Sequence, residues 1–215
     1  MLNRLHRWLN CADPASATDL IFVLAGLQTR KSYGLKLFQQ KLAPQVLLSS
    51  GRFEVRRLAA LNLRTNFDLL RMVDHVAPPK RHFFVSLTEQ EIRVQRISRG
   101  NLGTLSEIQA LAEWLHERPQ ITSLSIVSSG SHLRRLRICC RAILPARLRI
   151  LFLPVPENTS LANREVSWFD KKAIRGLFSE LIKIACYSAL LPIDSKVRRS
   201  HPRLLEIVSP CIRAE

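Results

Sequence analysis

Leu124-Ser-Ile-Val-Ser-Ser-Gly-Ser-His-Leu-Arg-Arg-Leu-Arg137 runs from an apolar stretch, through small hydroxyl residues and a glycine, into a basic segment with helical spacing. In an open α/β sheet, such a strand-to-helix turn aims backbone N–H groups and a helix N-terminus into the crevice where ligands sit. Two earlier stretches share the plan: Asp19-Leu-Ile-Phe-Val-Leu-Ala-Gly26 and Gln45-Val-Leu-Leu-Ser-Ser-Gly-Arg52. Strand ends of one kind predict one composite site along a single rim of a sheet.

Working outward, residues 19–25 form a continuous apolar run, the mark of a central parallel strand buried on both faces. Leu35, Phe38 and Leu42 at helical spacing predict a helix over 29–42, stopped by Ala43-Pro44. Val46–Ser49 is the next strand, completing a β-α-β unit. Helical patterning from Glu54 to about Val76 ends at Pro78-Pro79. Residues 82–87 and 91–97, joined by Thr88-Glu89-Gln90, predict a β-hairpin at one edge of the sheet. Thr104-Leu-Ser-Glu107 matches a capping box and predicts a helix start, with Pro119 closing the helix. A strand over 122–128, a helix over 131–144 and a strand over 148–153 follow. That helix has an apolar stripe of Leu133, Leu136, Cys140 and Ile143 or Leu144, and a basic stripe of Arg134, Arg137 and Arg141. Residues 1–17 read as a short amphipathic lead and 157–168 as a polar loop. A helix from about Asp170 to Leu190 is expected to pack on the sheet, with a membrane surface as its alternative.

The chain has 215 residues, enough for one α/β domain with a real core. A 47% hydrophobic and 23% charged composition argues against global disorder. The balance of 33 Lys+Arg against 17 Asp+Glu, net +16, favours anionic partners or reflects a generally basic surface. The arginines are scattered, and no helix-turn-helix, zinc finger or aromatic platform points to nucleic acid. Cys11, Cys139, Cys140, Cys186 and Cys211 are odd in number and irregular in spacing. They read as reduced thiols in a reducing compartment, mostly core filler. The N-terminus lacks an apolar core with a cleavage site, so no secretory signal is expected. No run of about 20 uncharged apolar residues predicts a spanning helix. A cytoplasmic or membrane-peripheral location follows.

His132 is the first candidate for chemistry. It opens a helix two residues after Gly130, where an imidazole donates to an anion or shuttles a proton. The helix N-terminus disfavours its charged form. Arg135 lies one turn on, and the pair could clamp a phosphate or carboxylate, unless Arg135 is merely solvated. Ser128 and Ser129 would bond a ligand or cap the turn. The absence of a G-x-S-x-G elbow excludes a serine hydrolase. Gly26 would permit close backbone approach, and Arg30 opens the first helix near an anion's place. No G-x-G-x-x-G fingerprint exists. Ser50 and Gly51 end the second strand. Glu54 is a base, a hydroxyl acceptor or a helix-start acid. Thr104 and Glu107 are explained by the capping box. The histidines are far apart, with no metal-binding spacing.

The order strand–Leu24-Ala-Gly26–Arg30, strand–Ser49-Ser-Gly51–Glu54, Thr104-x-x-Glu107, then Ser128 with His132 and Arg135, resembles the SanA/ElyC/YdcF family over about residues 19–155. Ala25-Gly26 stands where the family often has two glycines, and Ser50-Gly51-Arg52 where Ser-Gly-Gly is usual, as in a divergent branch. The resemblance implies a Rossmann-like fold, a role in bacterial envelope or cell-wall biogenesis, and a ligand that is S-adenosylmethionine-like or phosphorylated.

The sequence thus predicts a three-layer Rossmann-like α/β sandwich with a mostly parallel sheet. Residues 1–155 would form the α/β domain, with a core over 19–155. Residues 156–215 would be a C-terminal loop and helical extension on the same domain. The leading expectation is a site at the C-terminal strand ends that binds a small anionic or nucleotide-like molecule. Gly26, Arg30, Ser50, Gly51, Thr104, Glu107, Ser128, Ser129, Gly130 and Arg135 would hold it, and His132 and Glu54 would be the acid/base pair of a transferase or hydrolase. The competing expectation is a non-catalytic basic module docking on an anionic membrane or a partner protein.

Overall fold

Strand β1 (Leu20–Val23) is buried along its whole length because its side chains alternate between two apolar layers. Leu20 and Phe22 face a cluster with Leu105, Ile108, Leu111, Leu133 and Leu136. Ile21 and Val23 face the opposite cluster, with Leu37, Val46 and Leu48. A strand filled on both faces needs helices on both sides, and the chain supplies them. The computed structural model describes residues 2–51, 82–97, 103–156, 171–197, 205–207 and 212–213. The helix expected over 54–76 and the loop expected over 157–168 lie outside the described residues.

The helices are α1 (Leu2–Leu9), α2 (Gln28–Gln39), α3 (Thr104–His116), α4 (Leu133–Ile143) and α5 (Lys171–Val197). A 3-10 turn, Gly130–His132, leads into α4. The other strands are β2 (Val46–Ser50), β3 (Phe83–Leu87), β4 (Glu91–Ile97), β5 (Ser123–Ser128), β6 (Arg149–Pro154), β7 (Leu205–Ile207) and β8 (Ile212–Arg213). Their order is β6-β5-β1-β2-β3-β4-β7, with β8 also on β4. Strands β6, β5, β1 and β2 are mutually parallel. Among the six longer strands only β3 is reversed, since it pairs antiparallel with both β2 and β4. The architecture is the expected three-layer α/β sandwich with a mostly parallel sheet.

The β3–β4 hairpin forms with the expected limits and extends the sheet beyond β2. Phe84 of β3 meets Phe22 edge-on, ring centroids 5.6 Å apart, which joins the hairpin to the core. The hairpin is not the last element on that side. Strands β7 and β8, from a tail without strand signals, pair with its outer strand. At the other side Asp13 shields β6. Its N–H donates to Phe152 O at 2.9 Å, while its carboxylate accepts from Phe152 N and from Arg137 Nη2.

Among the described residues, Leu177 of helix α5 joins Leu9 of α1, and Leu191 and Tyr187 join the cluster that α3 and α4 form with the sheet. No helix among the described residues is long and apolar enough to cross a membrane. The four cysteines described are free thiols, with Cys139 and Cys140 buried as expected and Cys186 exposed.

The N-terminal ends of β1 and β5 are joined by one carboxylate. Asp19 Oδ2 accepts from Thr122 N, Thr122 Oγ1 and Ser123 N at 2.8–2.9 Å, and these donors lower its pKa.

Candidate functional site

Strand β1 continues into α2 toward β2, whereas β5 continues into α4 toward β6. The two helices cover opposite faces, so the chain diverges at the C-terminal ends of β1 and β5. That divergence is the switch point at which open α/β sheets have their ligand crevice. Neither helix start is capped by a side chain. Leu27 occupies the N-cap of α2, and Ser129 precedes the 3-10 turn without capping it. First-turn N–H groups are therefore left for other acceptors.

Arg30 spans this rim. Its Nη1 donates to Ala25 O at 2.7 Å, and its Nε and Nη2 donate to Ser129 Oγ at 3.1 and 2.9 Å. Ser129 does not cap because its hydroxyl serves Arg30. Gly26 makes room for the guanidinium: it has φ +130, and a Cβ there would stand 2.7 Å from Arg30 Nη1. Ala25, Gly26, Arg30 and Ser129, distant in sequence, thus form one unit.

Glu107 behaves differently from the capping-box expectation. The N-cap of α3 is Gly103, at φ 55, and Thr104 falls inside the first turn without a side-chain cap bond. The Glu107 carboxylate instead crosses to the strand ends, accepting from Ala25 N at 3.0 Å and from Ser49 Oγ in a short bond. Ala25 N lies just past β1, where the carboxylate takes the place of a ladder partner. Thr104 is buried at the helix start. Ser50 and Gly51 are buried at the end of β2, and Ser50 Oγ has no hydrogen-bond partner among the described residues. Glu54 lies outside the described residues.

On the β5 side, His132 sits at the junction of the 3-10 turn and α4. Its Nδ1 is 3.2 Å from Arg135 Nη2. A guanidinium only donates, so Nδ1 accepts, and the neutral ring carries its proton on Nε2. Arg135 is buried, and its charge is met from within the protein. Its Nε lies 3.1 Å from Glu180 Oε2 of α5, an ion pair without hydrogen-bond alignment. Lys183 Nζ donates to Glu180 Oε1 at 2.8 Å, and His132 Nε2 lies 3.9 Å from the same oxygen. The ring of Tyr187 lies beneath the Arg135 guanidinium, 5.6 Å from its centroid. Burial pushes the His132 pKa down to about 4 from 6.5. Arg30, Arg135 and Lys183 push the same way, and Glu180 opposes them.

The structure therefore gathers Gly26, Arg30, Ser129, Gly130, His132 and Arg135 around the β1–β5 rim. It places Ser49 and Glu107 beside them at the β1–β2 ends. Ser128 Oγ is buried at the end of β5, with no hydrogen-bond partner among the described residues. Gly130 is overlain by Asn10, since a Cβ there would stand 3.0 Å from the amide Oδ1.

Glu180, Lys183 and Asn10 are site residues that no sequence motif marks. Glu180 nonetheless has a signal. It occupies the stripe Leu177, Ile184, Tyr187 and Leu191, at helical spacing, and is the only acid from Lys171 to Leu190. A lone acid on an apolar stripe needs a buried cation, and Arg135 is that cation.

Comparison with protein-family models, curated proteins and solved structures finds no match to this chain.

Proposed function

We propose that this chain is a YdcF-like α/β protein that binds a small anionic molecule, nucleotide-like or otherwise phosphorylated, at the β1–β5 rim. The observation carrying this reading is the charge around His132. Among the described residues Arg30, Arg135 and Lys183 act on a ring with 30% side-chain exposure, and Glu180 acts against them. The start of α2 has no side-chain cap and aims first-turn N–H groups at the same rim. An anion meeting the imidazole would sit among these donors and cations.

The tautomer supports a donor role for His132. With Nδ1 engaged by Arg135, the ring offers Nε2–H as a neutral donor to a phosphate or carboxylate oxygen. A bound dianion raises the imidazole pKa; the added proton enters at Nδ1 once Arg135 Nη2 releases it, and the Nε2 proton can then pass to a leaving oxygen. The family resemblance adds the reaction class: transfer or hydrolysis at a phosphorylated precursor of the bacterial envelope. Arg30 contributes charge while fixed to Ala25 and Ser129, so it needs no rearrangement to act.

Thermal-shift titration with nucleotides, S-adenosylmethionine and polyprenyl phosphates tests the proposal. One anionic class is expected to raise the midpoint in a saturable way, because it binds the native state alone. His132→Gln is expected to weaken that ligand about tenfold, the loss of one charge-assisted hydrogen bond. No midpoint shift with any anionic class, or a shift that His132→Gln leaves unchanged, overturns it.

A further inference from the structure

Helix α5 is apolar on two opposite faces, and the described residues cover one of them. The stripe Leu177, Glu180, Ile184, Tyr187 and Leu191 turns inward onto α1 and α4. On the far side Phe178 is 58% and Ile182 63% exposed, one helical turn apart. Ala185, Cys186 and Ala189 continue the same outer sector, all exposed. Isolated surface apolar residues are ordinary, but a continuous outer sector with a phenylalanine and an isoleucine at its centre is a contact face.

The charges around that sector identify its partner. Arg175 is exposed at the N-terminal end of the stripe, and Lys183 is exposed at its flank. The one acid between Lys171 and Leu190, Glu180, is turned inward and paired with Arg135 and Lys183. The outer surface of this segment therefore presents apolar groups and cations with no negative charge among them. Two copies packed through it would oppose Arg175 and Lys183 to their own equivalents in a chain of net charge +16. A surface that accepts both Phe178 and the cations is an anionic lipid bilayer. Apolar side chains enter at the headgroup level there, and basic side chains stay among the phosphates.

We infer that the Arg175–Phe178–Ile182–Ala189 face of α5 is a peripheral docking surface for anionic membranes, with the helix lying in the plane of the interface. This inference is independent of the ligand proposed at the β1–β5 rim. The rim-facing Glu180 lies on the opposite side of α5 from Phe178 and Ile182, and Lys183, bonded to Glu180, stands between the two faces.

Flotation of the full chain with phosphatidylcholine vesicles, with and without phosphatidylglycerol, tests it. Binding is expected only with phosphatidylglycerol. Phe178→Asp with Ile182→Asp should reduce it at least tenfold, and Arg175→Glu should reduce it too. Circular dichroism and the unfolding midpoint show whether each variant folds. The milder Ile182→Ser replaces the double variant if that one does not. As a second readout, an environment-sensitive dye is placed on Cys186 with Cys11 and Cys211 changed to serine. Its emission should shift to the blue on phosphatidylglycerol vesicles alone. The inference is overturned by absence of binding to these vesicles in low salt, by binding that the Phe178 and Ile182 changes leave intact, or by an unshifted dye. A native dimer that the same changes convert to monomer overturns it as well, because the face then belongs to a second copy.

Discussion

The Glu180 carboxylate of α5 stands 3.1 Å from the Arg135 guanidinium of α4, with both side chains more than nine-tenths buried. A helix that sequence periodicity places loosely at the end of the chain is thereby fixed to the element that carries the principal histidine. Removing one partner of such a pair leaves an uncompensated charge inside the protein. Glu180→Ala is expected to cost about 3 kcal/mol of stability. Chemical denaturation of the native chain and the variant measures it, and a cost near zero would show that the pair is not formed. Because Glu180 is the group that favours protonated His132, the same variant lowers the histidine pKa further.

His132 makes stability depend on pH in a defined direction. Its folded pKa of about 4 lies below its ordinary 6.5, so the unfolded chain binds the proton more tightly. The contribution is whole above pH 6.5 and is lost as pH falls toward 4. The unfolding midpoint should drop through that window more in the native chain than in His132→Gln. Following the imidazole C–H resonances by NMR should find one ring titrating far below the ordinary histidine range.

Gly26 and Arg30 should prove non-additive. Gly26→Ala forces an alanine to φ +130 and sets a Cβ against Arg30 Nη1. It is expected to destabilise by about 1–3 kcal/mol for the backbone alone, and more for the clash. In an Arg30→Ala background the clash disappears while the backbone strain remains. A double-mutant cycle by urea unfolding should return a coupling above about 0.5 kcal/mol. Simple additivity would place the guanidinium elsewhere.

Thr104 and Glu107 separate two structural roles. A hydroxyl that capped α3 would cost about 1 kcal/mol when lost. The hydroxyl of Thr104 makes no such bond, so Thr104→Val should stay within about 0.5 kcal/mol of the native stability. Glu107→Ala removes the acceptor of Ala25 N and Ser49 Oγ and is expected to cost about 2 kcal/mol. The reverse ranking would restore the capping box.

Much of the fold can be read in the sequence because its strands are buried on both faces. Leu20–Val23 is apolar throughout and Val46–Ser50 is apolar up to its two serines, and no helix period fits such short runs. The hairpin 83–97 shows by alternation. Strands β7 and β8 do not show, because strands of two or three residues are too short to carry a period. The rim is legible to the extent that chain direction decides it: Gly26, Arg30, Ser129 and His132 follow strand ends, and the parallel order brings those ends together. Glu107 is legible as a residue but not as a role. The capping motif is local, whereas the bonds it makes depend on strands that are remote in sequence. Glu180 is the converse case: its place on the inner stripe of α5 is written in the spacing, but its partner is set only by how α5 crosses α4.

The seam between β1 and β5 is bolted at both extremities, by an anion at one end and a cation at the other. Asp19 holds Thr122 and Ser123 beneath it, and Arg30 holds Ala25 and Ser129 above it. A seam secured in this way cannot gape like a hinge. A ligand of the kind proposed would meet a preorganised frame there, and little ordering entropy would be lost in the strands.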